Sequence, residues 1–425
     1  MSAGTAVASR AGSLLPWSVF AALIASAGLP IYIHAPKFFA DTYGVSMTAL
    51  GLTLGVLRFI DVVQDPVLGW FAETLGRSRR YWVAGSALLM ALAMFGLFAV
   101  PPLVSPLVWF ALTLTALFTA FSFLTILFYA EGVAKAGQMG PTGHVRLAGW
   151  REGGSLVGVS LAAVAPTVLA MMTSDPYTAF AVGFCALALV AVVAMHREWR
   201  FLDERPRPAS GVLSGFALFR PALSDAVTRR LLILAFLNAA PVAVTSTLFL
   251  LFVESRIGAP GAEGPYLLLF FLSAAASTVG WSGLAQRIGP KRTLMAGMIL
   301  SIVAFLWAAS LGTGAMIAFG VICVASGAAL GADMTLLPAI FAQRLAAMGQ
   351  GGEAAAFALW SFVSKLSLAV AAATLLPLLD HFCFVSGPVN TTSALTALTA
   401  LYALLPCVLK LAAIGFLATV PVPEE

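Results

Sequence analysis

Residues 46–71 read SMTALGLTLGVLRFIDVVQDPVLGWF, a run apolar enough to cross a bilayer but for Arg58, Asp61 and Asp65. A spanning helix needs about 20 mainly apolar residues, and charge within the hydrocarbon is costly enough to be kept chiefly for function. The three ionisable residues fall at i, i+3 and i+7, on one helical face, so a guanidinium and two carboxylates point together into a protein interior or a watery cavity. A cluster of this kind at membrane depth points to binding of a coupling ion.

Outward from this stretch, apolar segments recur near 14–35, 81–100, 106–132, 147–172, 177–196, 231–253, 265–285, 293–311, 315–342, 355–379 and 394–418, which makes twelve with the first. Hydrophobic residues are 60% of the 425, mean hydropathy is +0.98 and charged residues are only 10%, against roughly 25% in soluble domains. The expected fold class is an all-α polytopic membrane protein of twelve transmembrane helices. The net charge of +5 does not imply a nucleic-acid partner, because Lys and Arg gather in alternate loops. Arg77, Arg79 and Arg80, Lys135 and Arg146, the stretch from Arg197 to Arg230, and Arg287, Lys291 and Arg292 fall on one side, against little beyond Lys37 and Arg256 on the other. The positive-inside rule then predicts a multi-pass protein of the cell inner (plasma) membrane with both termini cytoplasmic. The first dozen residues carry only Arg10, and the apolar segment after them is too long for a signal-peptide core, so it is read as a retained first helix. Cys185, Cys323, Cys383 and Cys407 have no metal-ligand spacing, and neither a disulfide framework nor a zinc site is expected.

The polar stretch 197–230, with Pro206, Pro208 and Pro221, lies almost at the midpoint and reads as a cytoplasmic linker between two six-helix halves, 1–196 and 231–425. An echo supports the division. Ala72-Glu73-Thr74-Leu75-Gly76-Arg77-Ser78-Arg79-Arg80 follows the second helix of the first half, and Ala285-Gln286-Arg287-Ile288-Gly289-Pro290-Lys291-Arg292-Thr293 follows the second helix of the other, an offset of 213 residues from Ala72 to Ala285. Halves related in this way by an axis along the membrane normal are the arrangement of major-facilitator transporters. The echo does not reach the charge cluster, because 271–278 holds no ionisable residue, so coupling chemistry is expected mainly in the first half.

Arg58-Phe59-Ile60-Asp61-Val62-Val63-Gln64-Asp65-Pro66-Val67-Leu68-Gly69 resembles the helix 2 signature of the glycoside-pentoside-hexuronide cation symporters, the melibiose permease-like family of the major facilitator superfamily. Arg146, Trp150 and Arg151 before helix 5, and Trp360-Ser361-Phe362-Val363-Ser364-Lys365-Leu366 in helix 11, match in the same order. The resemblance implies that Asp61 and Asp65 bind sodium, lithium or a proton, with Gln64 where the family commonly has Asn and a helix 4 hydroxyl at Ser122 or, with a different gap, Thr119. Carboxylate, amide and hydroxyl oxygens suit a hard monovalent cation. Lys365 lies too deep in helix 11 to snorkel easily, and the resemblance sets it opposite the helix 2 acids, in a charge network with Arg58. The competing readings are plain neutralisation of the acids by Arg58, and a static salt bridge at Lys365.

The resemblance also makes Arg151 a sugar-hydroxyl ligand, against a local ion pair with Glu152. The family's sugar-gripping acid of helix 4 falls near Thr125, and helix 1 has no acid between Leu14 and His34, which argues against galactosides. His34, Asp333 and Trp150 are further candidate substrate contacts. Gly149, Gly153, Gly154 and Gly158 read as close helix packing. The sequence reading is a cation-coupled symporter, driven by Na+ or H+, of a small organic solute, with a sugar or glycoside first and a lysophospholipid or other amphiphile second. It needs no cofactor and acts as a monomer in the lipid bilayer. No nucleophile-base pair, metal set or phosphate loop supports an enzyme, and no soluble sensing domain supports a receptor.

Overall fold

The computed structural model describes residues 13–75, 78–203, 215–349, 351–384 and 390–421. Arg10, Gly76 and Arg77, and Pro206 and Pro208 of the expected linker lie outside the described residues. Among the described residues the chain forms twelve helices across the bundle. These are α1 (Leu15–Ser26, resumed as Leu29–Tyr43), α2 (Met47–Thr74), α3 (Arg79–Phe98), α4 (Pro106–Ala136), α5 (Gly143–Leu169) and α6 (Pro176–Asp203), then α7 (Ala226–Leu251, continued as the wider π turn Phe252–Ile257), α8 (Glu263–Ile288), α9 (Pro290–Ala309), α10 (Met316–Met348), α11 (Glu353–His381) and α12 (Thr392–Thr399, the π turn Ala400–Leu404, and Leu405–Thr419). Ten of them are long and apolar enough to cross a membrane on their own. The other two are α1, broken at Ala27–Gly28, and α2, whose apolar run is interrupted by its three charges.

Local signals set the ends. Ser46 caps α2 by accepting from the Ala49 N–H at 3.2 Å, Asp225 caps α7 through the Thr228 N–H at 2.8 Å, and Gly44 and Gly349 close α1 and α10 in left-handed turns that a side chain would strain.

Packing within the first six helices recurs in the last six. The pairs α1/α5, α1/α6, α2/α4, α3/α4 and α3/α6 return as α7/α11, α7/α12, α8/α10, α9/α10 and α9/α12. Across the halves α2 packs on α11 and α5 on α8, and the same six-helix shift relates these two contacts. Both are tightest on the side that carries the chain ends. A Cβ added at Gly69 would lie 2.3 Å from that of Ala358, and one at Gly149 only 2.2 Å from Ser282 Oγ, so glycine is what lets the backbones close there.

The linker is shorter than its polar composition predicts. Helix α6 runs on to Asp203 because Trp199 packs edge-on against Phe20 and Glu198 pairs with Lys135 at 2.7 Å, both inside the first half. Helix α7 already begins at Ala226. Between them the short helical turns Gly215–Phe219 and Arg220–Ser224 set Leu218 and Phe219 against Ala355 at the start of α11.

Candidate functional site

Helix α2 lies against α4 and α11, and its Asp61–Asp65 face meets both. Asp61 Oδ1 accepts from Lys365 Nζ at 2.8 Å, from Ser122 Oγ at 3.0 Å and from Gln64 Nε2 at 3.1 Å. Asp65 Oδ1 accepts from the same ammonium at 2.9 Å. Lys365 Nζ also lies 2.7 Å from Ser122 Oγ and 3.3 Å from the Asp61 carbonyl oxygen. An ammonium has three hydrogens, so four oxygens around Nζ are more than it can serve. Lys365 therefore occupies the centre of an oxygen cradle of the sort a small hard cation favours.

Thr119 Oγ1 donates to Gln64 Oε1 at 2.9 Å, which fixes the amide with its NH2 toward Asp61. Asp65 is fully buried, and its Oδ2 makes no hydrogen bond of ordinary geometry although Ser361 of α11 stands beside it. Asp61, Asp65 and Lys365 sum to a charge of −1 in a site from which water is largely excluded. Arg58 is half-buried one turn before Asp61. The cradle joins the halves, since its carboxylates and hydroxyls come from α2 and α4 and its ammonium from α11.

The expected substrate contacts Arg151, His34, Thr125 and Asp333 are each engaged by partners within their own half. Arg151 is buried, donating to Glu152 Oε1 at 2.8 Å with its guanidinium 3.6 Å from the centre of the Tyr129 ring, and Tyr129 donates to the same Glu152 oxygen at 2.7 Å. Its donors are turned inward, so the local ion pair with Glu152 is the arrangement present. His34 Nε2 is 2.9 Å from the Ala163 carbonyl oxygen and its ring meets Tyr177 edge-on, which makes it a packing residue between α1, α5 and α6. Thr125 Oγ1 is spent on the Phe121 carbonyl of its own helix. Trp150 shares an exposed stripe of α5 with Val157, Leu161 and Val168, opposite Glu152. Asp333 is enclosed within the second half, where Lys410 of α12 donates to its carboxylate and, at 2.5 Å, to Asn238 of α7.

Two groups escaped the sequence reading. Lys410 and Asn238 are one, and an ionisable residue inside an apolar segment, the signal that marks Lys365, was also there for Lys410. The other closes the end that carries the chain termini. Glu73 Oε1 accepts from the backbone N–H groups of Ala354 and Ala355, at 2.7 and 3.3 Å, and so caps α11 from the opposite half. Arg79 holds Glu73 at 3.5 Å and Glu131 at 2.5 Å. Beyond the spanning segments, Arg344 grips Asp225 through Nε at 3.0 Å and Nη2 at 2.6 Å, and these bonds hold the Asp225 carboxyl well below the usual carboxylate range.

The family described as MFS/sugar transport protein matches residues 17–424. No curated protein matches the chain. Among solved structures, a bacterial homologue of the iron transporter ferroportin in an outward-facing state is similar at 15% identity, with 95% of this chain and 100% of that one covered and a TM-score of 0.69. The same homologue with soaked iron is similar at 14% identity, 95% and 99% coverage and a TM-score of 0.68. A variant of the E. coli fucose:proton symporter is similar at 15% identity, 94% and 97% coverage and a TM-score of 0.63. At such identities the likeness is one of fold.

Proposed function

The chain belongs to the MFS/sugar transport protein family and is a multi-pass membrane transporter of the twelve-helix major-facilitator fold, and from that premise we propose that it is a cation-coupled symporter of a sugar or glycoside. The observation that carries the reading is the cradle. Lys365 bridges the two halves by standing among oxygens of Asp61, Asp65 and Ser122, and the carboxylates outnumber it. One monovalent cation would bring the three charges to zero, with Asp65 Oδ2 as a ready ligand. Such an ion competes with Lys365 for the same oxygens, so its arrival loosens a bridge between the halves, and the shift toward the solute-binding arrangement is set by the difference in ion affinity between states.

Sodium suits the cradle better than a proton alone, because the neutral oxygens of the Ser122 hydroxyl and the Asp61 carbonyl stand with the carboxylates around the Lys365 ammonium, and a proton needs neither. A transition metal as cargo is less well served, since among the described residues no three of His, Cys, Asp and Glu gather at one place. Solute would enter from the side opposite the chain ends, where the halves are not clamped by Gly69, Gly149 and Glu73. The basic residues Arg79, Arg80, Lys135, Arg146, Lys291 and Arg292 sit on the clamped side, which supports cytoplasmic termini in a plasma membrane. Helices α1–α6 and α7–α12 would rock as the two halves, and one chain supplies the whole cradle, as a monomer requires.

The test is solute uptake in proteoliposomes under imposed sodium or proton gradients, with sugars, glycosides and lysophospholipids compared. Sodium-driven accumulation of a sugar or glycoside is the expected result. Uptake driven by a pH gradient in sodium-free buffer, with no response to added sodium, overturns the choice of ion, and accumulation of lysolipid alone overturns the choice of solute.

A further inference from the structure

Asp333, Lys410 and Asn238 form a second buried polar group in the bundle, one the coupling reading does not use. All three are more than nine-tenths buried. Two of the three ammonium hydrogens of Lys410 go to Asp333 Oδ2 and Asn238 Oδ1. Asp333 Oδ1 is enclosed with no hydrogen bond of ordinary geometry, although the Asn238 side chain stands beside the carboxylate. Asp333 and Lys410 border a cavity of about 20 Å³ that Ser301, Ser326 and Thr245 also line. A space of that size admits one water.

We propose that this cavity is a single-water site, in which the water accepts from Lys410 and donates to Asp333 Oδ1, and that the hydrated group is not a second site for the coupling ion. Charge decides between water and a cation. Asp333 and Lys410 sum to zero, so a cation would leave an uncompensated positive charge in the interior. Ser326 Oγ already donates to the Ile322 carbonyl at 2.7 Å, which leaves its lone pairs for the water's second hydrogen. The three side chains stand on α7, α10 and α12, all of one half, so rocking of the halves does not strain them. The inference deepens the proposed function, on whose cation-coupled reading it rests.

Two measurements test it. In a crystal soaked with thallium(I), a monovalent cation visible by its anomalous scattering, the expected result is a peak between Asp61 and Asp65 and, at Asp333, a water-sized density with no anomalous signal. An anomalous peak at Asp333 overturns the inference. A peak at neither place, with the water density present, removes the coupling reading and leaves the water site standing. The second measurement uses the pair of exchanges Asp333→Lys with Lys410→Asp, and separately Asp333→Leu with Lys410→Met. Whichever folds is expected to keep the sodium midpoint of uptake within about twofold of the parent, as befits a group outside the ion site. A shift of about tenfold or more overturns the inference, and if neither variant folds the thallium experiment decides alone.

Discussion

Two lysines lie buried against carboxylates in this bundle, and their surroundings differ in a way that separates a switch from a strut. Lys365 is shared by two carboxylates, reaches across from the other half, and keeps 12% of its side chain exposed. Lys410 has one carboxylate and one amide, both from its own half, and keeps 2%. The first pairing is over-supplied with negative charge and is made between bodies that can part. The second is balanced and internal. A buried ion pair is weak evidence for stability in itself, so what distinguishes the two is charge count and which helices they join.

The comparison breaks most visibly at the acids of the cradle. Asp61→Asn and Asp65→Asn each remove a charged ligand with almost no change in volume, and gradient-driven accumulation should fall to the level of empty liposomes while membrane abundance stays near normal. Uptake and abundance are measured on the same preparations. Normal coupled uptake in both variants would remove the cradle from the mechanism.

Stability separates the lysines next. Lys410→Met leaves Asp333 buried without a counter-charge and should cost about 3–5 kcal/mol, read as a lowered unfolding temperature in detergent that no cation restores. Lys365→Gln leaves two carboxylates free for an ion. Its transport should be impaired, yet sodium should stabilise it by about 2.7 kcal/mol when sodium reaches a hundred times its dissociation constant, read as a raised unfolding temperature. If Lys365→Gln keeps full cation-stimulated uptake, Lys365 is only a static counter-charge and the two lysines are alike after all.

A smaller effect is expected at the clamped end. Glu73→Gln keeps the side chain's shape but removes its charge from the start of α11, a change of about 0.3–1 kcal/mol for a carboxylate at a helix N-terminus. The halves should part there more often. A cysteine placed at Ala355, in a background without the native cysteines, should then react faster with a water-soluble thiol reagent. An unchanged labelling rate would show that Gly69 and Gly149 hold that end without help from Glu73.

The sequence exposed these features unevenly, for physical reasons. Asp61, Asp65 and Lys365 stood out because charge in an apolar run is conspicuous, and the twelve spans were legible because bilayer thickness fixes helix length. That Ser122 and Thr119 act together, one on Asp61 and one on Gln64, follows from α4 lying along α2, which one sequence does not state. The pairing of Asp333 with Lys410 joins positions 77 residues apart and was invisible for the same reason. Polar composition made the linker too long, because the last turns of α6 carry charge and yet stay helical through Trp199 and Glu198, and α7 already begins at Ala226. Aromatic character made Trp150 a ligand candidate, whereas the phase of its helix turned it outward.

The smallest effect supplies a control for both lysines. Asp225 and Arg344 are paired outside the spanning segments and partly exposed, at 20% and 34% of their side chains, so solvent screening limits the pair to about 1 kcal/mol or less. The folded state holds the Asp225 carboxyl below its ordinary value, chiefly through the hydrogen bonds from Arg344. A depressed carboxylate contributes stability above its unfolded value, near 4, and loses that contribution as pH falls through the lower folded value. The difference in unfolding temperature between the parent and Asp225→Asn should therefore be constant above about pH 5 and shrink below about pH 4. It should also narrow in high salt, because exposed charges are screened while Lys410 and Asp333 are not. A difference that persists unchanged through acid would mean that it does not come from the charge of Asp225, with the ion pair to Arg344 adding nothing, because Asn caps α7 about as well as Asp.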